Sequence, residues 1–319
     1  MGNNKLENKG AISWGDVLRK YGCLMALVIL MIVFSLSSKY FFTANNLISV
    51  ALTITTIGLI AIGQTLCIIS RNFDMSVGMV ASLGGVIYGH LGLAGVPVGV
   101  CLLLAVVFGL LAGIINGFCV AHLKMNAFMV TFIMMQIYRG VLYVVTDGMT
   151  ETIFALEGFS TLGQYKVFGV LPLPILIMAV LYIAFAFILK YTKLGRQVYC
   201  VGGNPEAARI SGINAKGTMM FCFIITSTFA ALAGVCFASR VCSVAPFIGE
   251  SYALDTISAA VLGGAAMSGG KGTMWGTLIG VLIVGVIQNG LVMAGVSPNY
   301  QYIATGVIMF LAILLQERR

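Results

Sequence analysis

The chain has 319 residues, 60% of them hydrophobic and only 9% charged, and its mean hydropathy is +1.03. A soluble domain is under half apolar and about 25% charged, so this composition excludes a water-soluble domain and defines an integral membrane protein. Thirty-nine glycines against six prolines suit closely approaching transmembrane helices; the net charge of +8 does not call for nucleic acid if membrane topology accounts for it.

The opening segment, residues 1–20, reads as a cytoplasmic tail feeding a first span. No small-residue cleavage site follows it, and the apolar run continues past Phe34. A span needs about 20 mostly apolar residues, and the apolar runs predict ten candidates: 22–42, 47–70, 75–93, 97–121, 126–146, 171–190, 217–238, 254–268, 273–293 and 298–315. The eighth, "TISAAVLGGAAMSGG", is short enough to be re-entrant, because glycine-rich broken helices are tolerated where protein or a water-filled cavity surrounds them. Residues 21–319 therefore read as one all-α domain, a polytopic integral membrane helical bundle. Cys23, Cys67, Cys101, Cys119, Cys222 and Cys236 fall inside these runs, and no C-x-x-C occurs, so they read as small buried hydrophobes.

Lysine and arginine accumulate on the cytoplasmic side of short loops. With the N-terminus inside, fourteen of the eighteen fall inside: Lys5, Lys9, Arg19, Lys20, Arg71, Lys124, Lys190, Lys193, Arg196, Arg209, Lys216, Lys271, Arg318 and Arg319. Both termini and the basic loop 191–217 are then cytoplasmic. The loop 147–171, with three acids and one lysine, lies outside. An internal echo pairs "DMSVGMVASLGG" from Asp74 with "DTISAAVLGG" from Asp255, and "NGFCVA" from Asn116 with "NGLVMA" from Asn289. The first copy runs inside to outside and the second outside to inside, which predicts two inverted-repeat halves with a pathway at their interface.

The inventory offers no catalytic, cofactor or metal constellation. His90 and His122 stand alone near span ends, and neither H-E-x-x-H nor G-x-S-x-G occurs. "SGGKGT" at 268–273 resembles part of a phosphate loop, but Gly272 stands where the hydroxyl should follow Lys271, and residue 265 is alanine rather than glycine. Any ATP chemistry must come from another polypeptide. Arg139 is the one charge well inside a predicted span, near its outer end, where snorkelling or pairing with backbone carbonyls accounts for it. Gln64, Asn116, Gln136, Gln288 and Asn289 sit in apolar runs where an unpaired amide is costly. Each is a candidate either for lining a pathway or for an interhelical hydrogen bond. Asp74 and Asp255 read as acidic caps at helix N-termini.

Within the basic loop, "GGNPEAARISG" carries helix signals. Asn204 is an N-cap, Pro205 suits the first helical position, Glu206 favours the N-terminal end and Gly212 suits the left-handed residue after the last turn. A two-turn cytoplasmic helix over 204–211 is expected, and one so short must be held by packing. The chain's own underside, lipid headgroups or a partner protein could each supply it.

"NFDMSVGMVASLGG", "GRQVYCVGGNPEAARISGI" and "LDTISAAVLGGAAMSGGKGTMWGTLIGVLIVGVIQNGL" resemble the membrane permeases of bacterial ABC importers for ribose and related monosaccharides, from about Tyr21 to the C-terminus. The first motif departs from the family pattern, reading "SRNFDMSVG" where a glycine pair and an isoleucine usually precede the aspartate. The resemblance implies a non-enzymatic transport subunit of the bacterial inner membrane with ten helices. It is expected to work as a homodimer or a heterodimer with a paralogue, beside a cytoplasmic ABC ATPase and a periplasmic sugar-binding protein. Ser76 and Gly78 of the first motif, and Gly263, Gly264, Gly269 and Gly270 of the third, are then structural motif positions. Residues 202–212 match the coupling helix. Asn204, Pro205, Glu206, Ala207, Ala208, Arg209, Ile210, Ser211 and Gly212 are thereby expected to engage the ATPase, with Ala207, Ala208 and Ile210 packing into its groove and Glu206 and Arg209 at the rim. Lipid is the other partner. The rival class is an ion-coupled secondary transporter or channel, and within ABC importers a nucleoside or a furanosyl signalling molecule is an alternative substrate.

Overall fold

The computed structural model describes residues 14–297 together with positions 300, 303, 304, 306, 307 and 310, all six of them helical. Its order is α1 (Trp14–Ser37), α2 (Ala44–Ile69), α3 (Val77–Leu93), α4 (Val98–Ala121), α5 (Ala127–Thr146), β1 (Glu151–Thr152), α6 (Thr161–Gln164), β2 (Lys166–Val167), β3 (Leu171–Pro172), α7 (Leu173–Tyr191), α8 (Lys193–Gly203), α9 (Pro205–Ile210), α10 (Ala215–Val241), β4 (Ser243–Val244), α11 (Tyr252–Leu262) and α12 (Met274–Met293). The first nine predicted spans correspond in order to α1–α5, α7, α10, α11 and α12. Most of the tenth, with Lys5, Lys9, Arg318 and Arg319, lies outside the described residues. Among the described residues six helices are long and apolar enough to cross a membrane: α2, α4, α5, α7, α10 and α12. The protein is thus a polytopic helical membrane protein.

Two elements, α1 and residues 193–203, differ from the sequence expectation, and α11 is as short as its apolar run. α1 begins at Trp14, inside the predicted tail. α11 has only 11 residues, about 16 Å at 1.5 Å per residue, which is half a bilayer core. Residues 193–203, read as loop, form α8: Thr192 caps it by accepting the Gly195 N–H at 3.2 Å, and Gly195, Val198, Val201 and Gly202 are its buried face.

The bundle is organised around α2 and α10. Along its most apolar stretch α2 is 89% buried, whereas α4, α5 and α7 keep most of their surface outward. α10 packs on α3 and α4, and α2 packs on α11 and α12. Small residues permit this closeness. A Cβ on Gly84 would lie 2.7 Å from Ala231 Cα, one on Gly109 2.7 Å from the Ser227 carbonyl oxygen, and one on Gly113 2.7 Å from that of Phe223. Gly78 meets Gly249 backbone to backbone, and Gly263 meets Gly276 in the same way. Packing accounts for Gly78, Gly84 and Gly263 of the repeat motifs, whereas Gly264, with open space where a Cβ would stand, is set by its φ of +92°.

The ends of the bundle are distinct. At one, β1 pairs antiparallel with β4, with Glu151 opposite Val244, and the Gly163 N–H donates to Ser239 Oγ at 2.8 Å, so the 147–171 loop lies over the end of α10. At the other end lie the last turns of α2, α4 and α7, all of α8 and α9, and the loop 263–273.

Candidate functional site

The α8–α9 elbow turns on Asn204. Its N–H closes α8 by donating to the Cys200 carbonyl at 3.1 Å, and its Oδ1 accepts the N–H groups of Glu206 and Ala207, each at 3.0 Å. Pro205 occupies the first helical position, where a missing N–H goes unnoticed. Gly212, at φ +78°, donates to the Arg209 carbonyl, and the Ile213 N–H reaches the Ala208 carbonyl at 3.0 Å. Ser211 Oγ donates to the Ala207 carbonyl at 2.9 Å. Each cap read for α9 is realised, whereas Asp74 and Asp255 are not N-caps: those positions in α3 and α11 belong to Ser76 and Ser251. An exposed pair, Arg209 Nε to Glu206 Oε2 at 3.0 Å, runs along the outer face and adds little stability.

The faces of α9 correct the sequence expectation. Ala208 is only 4% exposed, and α9 packs against α8 and α10, so Ala208 anchors the helix to its own chain. Ile210 is 82% exposed. At 100° per residue these two positions lie 200° apart and cannot share a docking face. The outward apolar pair is Ala207 with Ile210, one helical turn apart.

Beside α9 opens a cavity of about 780 Å³ lined by Arg71, Lys124, Arg209 and Lys216, with Glu206 as its acid. Arg71 and Lys124 follow α2 and α4 with φ of 66° and 56°, left-handed conformations usually given to glycine. Their backbones complete the closing turns, Asn72 donating to the Cys67 carbonyl at 2.8 Å and Met125 to that of Cys119 at 3.2 Å. Cations here complement the negative helix ends. Sequence reading placed both in a cytoplasmic loop and missed their convergence on α9.

The polar residues of the apolar runs divide into two groups. Asp74, fully buried, accepts the Ser76 N–H and Oγ–H at 2.8 and 2.6 Å, Asn116 Nδ2 at 3.2 Å and Ser227 Oγ at 3.4 Å. Thr131 Oγ1 accepts the neighbouring Met75 N–H at 3.0 Å. This network pins the start of α3 to α4, α5 and α10. Asp255, in the first turn of α11, accepts Gln288 Nε2 of α12 at 3.3 Å. Asn289 and Asn46 exchange two hydrogen bonds, each 3.0 Å, joining α12 to α2. Asn116, Gln288 and Asn289 therefore hold helices together. Gln136 is exposed on α5. Gln64 is fully buried in α2, and neither of its amide atoms has a hydrogen-bond partner among the described residues. Arg139 pairs with the Glu250 carboxylate at 3.3 Å rather than with backbone carbonyls.

Asn289→Ala is expected to destabilise the detergent-solubilised protein by about 1 kcal/mol, because it strands part of the Asn46 amide between helices. The double change Asn46→Ala with Asn289→Ala should cost less than the sum of the two single changes, even though Asn46 also gives up its Nδ2 bond to the Phe41 carbonyl at 2.8 Å. Thermal unfolding of the three variants measures it, and strict additivity would refute the pairing as the cause.

The bundle, its outward apolar helices and a capped polar elbow at one end define a multi-pass helical membrane protein. Residues 46–313 match the family described as branched-chain amino acid transport system / permease component, and the chain belongs to that family. It is 36% identical to the ribose import permease protein of Escherichia coli (strain K12), the match covering 93% of each chain. It is 34% identical to the L-arabinose transport system permease protein of the same organism, covering 97% of this chain and 94% of the relative. The xylose transport system permease protein of Haemophilus influenzae is 30% identical, with 93% and 95% covered. No solved structure matches the chain. The chain is a transport permease subunit, not an enzyme.

Proposed function

We propose that this chain is the membrane-spanning subunit of an ATP-driven ABC importer for a monosaccharide, a ribose-like pentose or a hexose, and that a separate ATPase docks on α9. The observation that carries this reading is α9 itself: a capped helix anchored by Ala208 that presents Ile210 to water at a face ringed by cations. Its relatives, named for ribose, arabinose and xylose, support the substrate class.

In this reading the α9 end is cytoplasmic. Arg71, Lys124, Lys190, Lys193, Arg196, Arg209, Lys216 and Lys271 gather there, as the charge bias of inner-membrane proteins requires. The 147–171 loop then faces the periplasm, where a sugar-binding protein delivers its cargo, and both termini are inside. The helical positions between 300 and 310 belong to a tenth span, and residues 21–319 form one permease domain. Two inverted halves are supported by their reciprocal packing, α2 on α11–α12 and α10 on α3–α4. A second permease copy, identical or paralogous, completes the pathway, and lipid covers the remaining apolar surface. Of the five amides, Gln64 and Gln136 keep hydrogen-bonding capacity for a sugar's hydroxyls.

Gentle purification should bring down an ATPase. Vesicles holding the complex and its binding protein should take up ribose, arabinose or xylose only when ATP is supplied on the cytoplasmic face. Uptake that ignores ATP and follows an imposed proton or sodium gradient would give the protein to the ion-coupled class.

A further inference from the structure

Three backbone segments meet at the end of α2 with no side chain between them. Gly202, in the last turn of α8, is buried, and a Cβ there would collide with the Ile69 carbonyl oxygen and come within 2.7 Å of the Gly270 nitrogen. The Gly270 N–H donates to that same Ile69 oxygen at 2.8 Å, so the loop 263–273 satisfies one of the open carbonyls of α2. Gly269 and Gly270 have φ of +84° and +72°, which side chains rarely adopt. One turn back on α8, Tyr199 Oη donates to the Gly272 carbonyl at 2.7 Å, and burial pushes this phenol above its ordinary pKa.

The attachment continues into the bundle. Ile68, Ala260 and Ala265 pack together with Phe73 and Ile257, joining α2 to α11. Thr65 and Thr277 share a 2.8 Å hydrogen bond between α2 and α12. Elsewhere the elbow rests on α7 and α10, and the end of α4 and the start of α5 face α9 across the cavity. A displacement of α8 and α9 toward that cavity draws on α2 and on the 263–273 loop, because close-packed backbones with a shared hydrogen bond cannot slide independently.

We infer that the contact of Gly202, Ile69 and Gly270 is the joint that passes motion of the α8–α9 elbow to α2 and the α11–α12 hairpin, with Tyr199 as its positioning residue. The inference rests on the reading of α9 as the ATPase-docking element.

Lys271 is exposed on the loop side of the joint, and its labelling reports the motion without any sugar. In a background with the native cysteines removed, Lys271→Cys is reacted with a soluble maleimide in the purified complex, with and without a non-hydrolysable ATP analogue. The nucleotide should change the labelling rate about five-fold, the low end of typical couplings between sites. Tyr199→Phe should bring that ratio close to one while ATPase retention and thermal unfolding stay as in the parent. Gly203→Ala, where a Cβ meets nothing within 4 Å, should leave it unchanged. A nucleotide response of normal size in Tyr199→Phe overturns the positioning role of Tyr199, and none in the parent with ATPase bound overturns the joint; both leave docking intact. A parent complex that never holds ATPase removes the docking reading, and the joint with it.

Discussion

Ile210→Asp is expected to strip the ATPase from the purified permease and abolish uptake. Ile210 is the most exposed apolar side chain of α9, and residues of this kind, seated in a partner's pocket, carry most of an interface's binding energy. A carboxylate there must be buried unpaired on docking. It also meets the acidic groove that the cations Arg71, Lys124 and Lys216 would favour in a partner. Folding should hardly change, since an exposed substitution usually shifts stability by under about 0.5 kcal/mol. ATPase co-purification should fall at least about ten-fold, equivalent to 1.4 kcal/mol, with unaltered thermal unfolding. A variant that keeps its ATPase at the parental level would refute docking on this face. Ala208→Trp cannot make the same test: Ala208 is anchored inside the chain, so a bulky residue there disturbs the elbow whether or not a partner binds.

Gly234→Val should have a larger effect on the protein itself. Gly234 lies where α10 crosses α3, and a Cβ would collide with the Ala81 carbonyl oxygen; across the same crossing, a Cβ on Gly85 would stand 3.0 Å from the Gly234 oxygen. A branched side chain must push apart two buried backbones and loosen the Asp74–Ser227 contact a little further along α10. Overpacking against backbone on this scale costs upward of about 4 kcal/mol, enough to remove the folded species from size-exclusion profiles in mild detergent. Gly140→Val, on the outward face of α5 where a Cβ meets nothing within 4 Å, should run as the parent does. A monodisperse, thermally stable Gly234→Val protein would show that the crossing is not held by this contact.

Features governed by local rules were legible in the sequence, and features governed by direction were not. Asn204, Pro205 and Gly212 announce the ends of α9 because caps act over three or four residues, and the shortness of the eighth apolar run foretold the half-length α11. The side of α9 that faces the body was hidden: Ala207, Ala208 and Ile210 are all apolar or small, and only the position of α10 decides which is inside. α8 had a signal that went unused, since Gly195, Val198, Val201 and Gly202 recur at helical spacing; its glycines and its charged neighbours made it read as loop. The amides gave no hint of their partners, because Asn46 and Asn289 meet only through the packing of α2 on α12. Arg71 and Lys124 in left-handed backbone run against residue preference, so no propensity argument could have placed them beside α9.

The burial of α2 has a consequence for how the protein is made. α2 precedes most of its partners in the chain and is apolar enough to enter lipid alone, yet its surface belongs mainly to α10, α11 and α12, with α7 covering a smaller part. At 5–20 residues per second those partners emerge on the order of ten seconds later. Until then Gln64 and the threonines of α2 face either lipid or the insertion machinery. Biogenesis must therefore shelter an already inserted helix until the second half of the chain arrives, which makes the later helices the assembly-limiting ones and truncation after α7 the way to leave α2 with α7 as its one large cover.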